Sequence, residues 1–124
     1  YEVYDEVKVI TRDQTLVQRE LDAGMITPEQ ALNDPRRSIL LQCVGASYNV
    51  YPDLFFGETK KDAVYFLCSD GFRHEISENE IFQAFNPSVL ESTDAMKQNA
   101  EYLIELNKNR KETDNISVAL VRTF

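Results

Sequence analysis

Two apolar segments that stop at carboxylates constrain this chain more than any other feature. AVYFLCS, residues 63–69, places Ala63, Tyr65 and Leu67 on one face and Val64, Phe66 and Cys68 on the other. ISVALV, residues 116–121, sets Ile116, Val118 and Leu120 against Ser117, Ala119 and Val121. A strand with apolar residues on both faces is expected to be covered on both. Amphipathic helices lie between the two, so the chain reads as α+β with several layers: sheet against sheet, helices outside. Five or six strands in all suit one ordinary sheet and fall short of two well-covered ones, so the layering looks incomplete.

The rest of the organisation follows from local signals. Tyr1–Tyr4 and Val7–Thr11 read as two short strands joined at Asp5-Glu6. RDQTLVQRELDAG reads as a helix with Val17 and Leu21 on one face and Gly24 as its stop. A second short helix follows in TPEQALND, with Thr27 as N-cap, Pro28 at the first position and Gln30 closing a capping box. Asp34-Pro35 ends it. SILLQCVG and DLFFGE are expected strands. Ser77, with Glu80 three residues on, starts a helix that ends near Pro87. Ser92 starts a longer one with Met96, Ala100, Leu103 and Ile104 inward and Lys97, Glu101, Glu105 and Lys108 toward water.

Composition narrows the functional classes. The 124 residues suit one domain, and hydrophobic residues, 43% of the total, suffice for a core. The net charge of -8 argues against a nucleic-acid binder, whose affinity rests on a basic surface. No segment is long and apolar enough to cross a membrane as a helix, and the opening residues lack a signal-peptide pattern. Cys43 and Cys68 have no CxxC spacing and only one histidine to join them, so they read as buried free thiols in a reducing, cytoplasmic setting.

Asp70 stands just past the end of the first apolar strand and Asp114 just before the second. If the strands are antiparallel neighbours, the two carboxylates meet at one sheet edge. Like charges so placed call for a bridging cation or a proton, and magnesium and manganese take carboxylate oxygens. Asp-Gly is also a common turn dipeptide and Asp-Asn ordinary loop chemistry, so pattern alone reads each aspartate first as a turn residue.

FLCSDGFRHEISENEI together with TDNISVALV resembles the metal-dependent serine/threonine protein phosphatases of type 2C. ITRDQTLVQRELDAGMITPEQA and DPRRSILLQCVG resemble their bacterial members, in the same order, so the match runs from Val7 to Val121. The resemblance implies a partial four-layer α-β-β-α sandwich of mainly antiparallel sheets. It implies a binuclear magnesium or manganese site whose water attacks phosphoserine or phosphothreonine, with Asp70 and Asp114 as metal ligands. It implies that residues 14–37 are a flap-like helical subregion, that phosphoproteins are substrates and that a serine/threonine kinase opposes the enzyme. The family's phosphate-binding arginine, its Asp-Gly-His-Gly type loop and its histidine acid have no counterpart here. Residues 1–124 therefore look like the C-terminal portion of one catalytic domain with the N-terminal half absent.

On that basis no catalytic residue is assigned and the chain alone is expected to be inactive. The alternative is a non-catalytic interaction or regulatory domain that kept the same fold; a simple acidic cation-binding module is a third reading. His74 reads as a surface or packing histidine. Arg36 and Arg37 read as ion-pair partners of nearby acids, Arg73 as a weak electrostatic candidate, and Tyr48 and Tyr51 as loop packing or a sheet-edge cover. A half sandwich exposes apolar sheet surface and open edges, so self-association is expected.

Overall fold

The antiparallel ladder between two distant apolar segments organises the larger part of the chain. The computed structural model describes residues 1–124. Four strands, β1 (Glu2–Val3), β2 (Val7–Lys8), β3 (Val64–Cys68) and β4 (Val118–Arg122), form one sheet in the order β2-β1-β3-β4. Every neighbouring pair is antiparallel. The register sets Phe66 opposite Leu120 and Cys68 opposite Val118. Directly opposed residues share a face, so Val3, Val64, Phe66, Cys68, Val118 and Leu120 lie together on one side.

That side is the core. Helices α3 (Glu78–Phe85) and α4 (Thr93–Asn109) supply Ile81, Ala84, Phe85 and Leu103 to it, with Phe72, Ile76 and Leu90 between. Phe66 meets Phe85 edge-on at 5.4 Å between centroids, and Phe72 stacks on Phe85 at 5.9 Å. The expected caps form: Ser77 with Glu80 makes a capping box, and Ser92 accepts from the Ala95 N–H. On α4, Met96, Ala100 and Ile104 pack against the core, while Lys97–Glu101 and Glu105–Lys108 pair at the surface.

The α+β class and the antiparallel sheet hold, with one sheet and one helical layer in this chain. The expectation that both faces of β3 are covered does not. Leu67, on the opposite side from Phe66, is 75% exposed, and Val121 on the same side is 57% exposed. The chain holds no second sheet for that face to bury itself against.

Residues 11–56 form a separate compact unit. Helix α1 (Leu16–Asp22) is capped by Thr15 and followed by Gly24 at φ +70, a left-handed conformation that glycine adopts without strain. Helix α2 (Pro28–Asn33) carries the full Thr27–Gln30 capping box. Arg36 pairs with Glu20 and Asp34, as its acidic surroundings suggest. SILLQCVG is not a strand. It makes one bridge, Thr15 to Leu40, with bonds from Leu16 N to Ile39 O and Leu41 N to Gln14 O. Its partner segment turns into α1 at Leu16, so the ladder has no further rungs. DLFFGE is also irregular, with Leu54 and Phe56 exposed and no pairing strand. As a consequence Cys43 is exposed, not buried; Cys68, on β3, is half-buried, and neither cysteine is in a disulfide. Tyr48 and Tyr51 are likewise exposed and pack against nothing extensive.

Candidate functional site

Asp70 and Asp114 come together because β3 and β4 are antiparallel neighbours. β3 ends at Cys68 opposite Val118, where β4 begins, so the chain leaving one strand runs beside the chain entering the other. Ser69 fastens the junction three times over. Its N–H donates to Ser117 O at 3.0 Å, its Oγ donates to Asn115 O at 3.0 Å, and the same Oγ accepts from Ser117 N–H at 3.0 Å. A 3-10 turn over Asp70–Phe72 follows at once.

Gly71 sets how closely the two loops approach. A Cβ there would stand 2.5 Å from Asn115 O and 3.2 Å from Asp114 Cβ. Only a hydrogen fits. The turn is held from behind by Asn107 on α4, fully buried, whose Nδ2 donates to Phe72 O at 2.8 Å and to Leu103 O at 2.9 Å.

Each aspartate uses one oxygen locally and leaves the other uncommitted. Asp70 Oδ1 accepts from Gly71 N–H at 3.0 Å, and Asp114 Oδ1 from Asn115 N–H at 2.7 Å. The second oxygen of Asp70, Oδ2, lies 4.0 Å from His74 Nε2. Two exposed carboxylates on abutting loops are a hard-oxygen donor set of the kind magnesium and manganese take. No group of three or more His, Cys, Asp or Glu side chains is gathered to enclose a cation without help. By themselves the two carboxylates do not enclose a cation.

Sequence reasoning missed two residues around this pair. Ser69 belongs to the Ser-Asp-Gly run, yet its role as the stitch between strands depends on a register that no local signal announces. Glu112 looked like one more surface acid. Its Oε1 accepts from Thr113 and Asp114 N–H groups at 2.8 Å each, and its Oε2 lies 3.0 Å from His74 Nδ1. The Asp114 and Thr113 amides, with His74, hold this carboxyl below the usual carboxylate range. His74 is thus a paired side chain at the edge of the site, where a surface or packing histidine was expected.

No protein-family model matches the chain. Among curated proteins it is 36% identical over 93% of its length to the serine/threonine protein phosphatase PstP of Mycobacterium tuberculosis. It is 32% identical over 94% of its length to the serine/threonine phosphatase stp of Listeria innocua. It spans 21% of the first relative and 44% of the second, less than half of either. Its fold superposes on the crystal structure of PstP with a TM-score of 0.83 at 33% identity, covering 99% of this chain and 50% of that one. A second structure, the PstP catalytic domain in complex with two manganese ions, matches with a TM-score of 0.74 at 31% identity. In that match 97% of this chain and 47% of the other are covered.

Proposed function

Because this chain belongs to the bacterial type 2C serine/threonine protein phosphatases, of which it matches a part, we propose that it supplies one side of a divalent-metal phosphoesterase site. The reaction is hydrolysis of phosphoserine and phosphothreonine in protein substrates. The observation that carries this is the β3–β4 register, which brings Asp70 and Asp114 onto abutting loops with one free oxygen each. Two bound magnesium or manganese ions would supply a water of lowered pKa and neutralise phosphate charge. Asp70 and Asp114 would ligate one of them. Ser69 and Gly71 hold the two loops against each other, and Asn107 holds the Asp70 turn through Phe72 O.

In this reading the chain, as the C-terminal portion of one catalytic domain, is inactive alone. Two carboxylates offer one weak site. The helical region 14–37 serves as a variable flap that recognises the phosphoprotein. The protein works in the cytoplasm, opposed by a serine/threonine kinase. Manganese calorimetry on the wild-type chain, Asp70→Asn and Asp114→Asn tests the assignment: weak binding that either substitution abolishes supports it. Binding indifferent to both substitutions would remove the two aspartates from the site. Manganese-dependent hydrolysis of a phosphothreonine peptide by the purified chain would overturn its inactivity.

A further inference from the structure

We propose that His74 is a positioning residue that ties the Asp70 turn to the Asp114 loop, so that the two carboxylates meet a divalent cation as a preset pair. This rests on the reading of Asp70 and Asp114 as metal ligands. His74 Nδ1 lies 3.0 Å from Glu112 Oε2, and against an ionised carboxylate that ring nitrogen is the donor. The other ring nitrogen, Nε2, faces Asp70 Oδ2 at 4.0 Å, outside direct hydrogen bonding, so the tie itself runs through Glu112. One imidazole thereby touches the acid that organises one loop and faces the ligand of the other.

Glu112 is what gives the histidine its leverage. Its side chain is only 7% exposed, and both of its oxygens are engaged locally. Oε1 takes the Thr113 and Asp114 N–H groups, which fixes the backbone of the ligand residue itself, and Oε2 takes His74. The Glu112 N–H in turn donates to Asn107 O at 3.1 Å, so the acid is anchored to the end of α4. The path from α4 through Glu112 and His74 to Asp70 spans 38 residues of sequence between the two paired side chains and closes beside the metal ligands. Ser69 fixes the strand ends; His74 fixes the side-chain level above them. Outer partners of this kind orient carboxylate ligands and raise metal affinity without touching the ion.

The test is a titration of the 15N-labelled full chain with manganese chloride, following paramagnetic broadening of the Gly71 and Asn115 amide signals. In the wild type both signals broaden with one midpoint. In His74→Ala the midpoint rises about tenfold and the two signals no longer broaden together. His74→Gln, whose amide still donates to Glu112, recovers part of the loss. Equal midpoints in wild type and His74→Ala, with both amide spectra folded, overturn the proposal while leaving the ligand assignment standing. Should His74→Ala not fold, Glu112→Gln gives the same reading, because it keeps an acceptor oxygen for the two loop amides and removes the charged partner of His74. An unchanged midpoint there also overturns the proposal. Absence of broadening at both amides in the wild type overturns the ligand assignment itself, and this inference with it.

Discussion

Gly71 lies where two loops press together, and the space at its Cα is the measure of how close the two aspartates stand. A methyl group would meet a backbone carbonyl at 2.5 Å, an atom that cannot swing aside as a side chain would. Gly71→Ala is therefore expected to cost about 1–3 kcal/mol, the usual range for overpacking, and to push Asp114 away from Asp70. Gly57, with nothing within 4 Å of a built Cβ, is the control, and Gly57→Ala should stay within about 0.5 kcal/mol of wild type. Urea unfolding of the two variants compares them directly; equal midpoints would mean the loops part more easily than this packing implies. At this scale the sequence is generous about identity and silent about contact. Ser-Asp-Gly and Asp-Asn were legible as residues near strand ends. Ser69 as a stitch and Glu112 as an organiser were not, because both act through partners dozens of residues away, 48 in the case of Ser69 and Ser117.

Helices α3 and α4 were legible from caps and apolar spacing, and their stripes face the core as expected. What the spacing did not reveal is Asn107, a polar residue at full burial on α4. Its Nδ2 serves two carbonyls while its Oδ1 has no partner. Asn107→Ala leaves the Phe72 carbonyl without its donor, and a loss of about 1–3 kcal/mol is expected. Asn107→Asp should be worse at neutral pH, since it turns a carboxylate toward the same two carbonyl oxygens. A urea series including both variants checks the order.

The same two helices are joined at the surface by Arg110, which grips both oxygens of Glu80 and also donates to Glu75 O. The guanidinium, with the Ser77 N–H, holds the Glu80 carboxyl at about 2 against an ordinary 4.5. A carboxyl depressed in the folded state adds stability that is complete above pH of about 4.5 and is lost as pH falls toward 2. Melting temperature against pH should thus fall less steeply for Glu80→Gln than for wild type between pH 5 and 2, with the two curves converging at the acid end. Parallel curves would show that the pair stays solvated and contributes nothing.

At the scale of the whole molecule, the segments the sequence misplaced share one physical cause with the surface it leaves open. Residues 38–45 and 53–58 have strand composition, and β3 has the two-sided apolar pattern of a strand inside a sandwich. Strand propensity is realised only against a partner, and this chain provides none for these residues. The outer sheet face therefore presents Leu67, Ala119 and Val121 to solvent, and β2 and β4 each keep an unpaired edge. Apolar face and open edge together favour a second copy of the chain, stacking sheet on sheet or extending it. Light scattering at high concentration is expected to report a mass above the 14.3 kDa of one chain. Val121→Glu places a charge on that face, on a strand residue already 57% exposed, so it spares the fold while opposing apposition. A wild-type chain that stays at the single-chain mass leaves the face without a partner in its own kind. A dimer untouched by Val121→Glu would instead be joined through an edge strand, and substitutions along β4 or β2 would then separate the two.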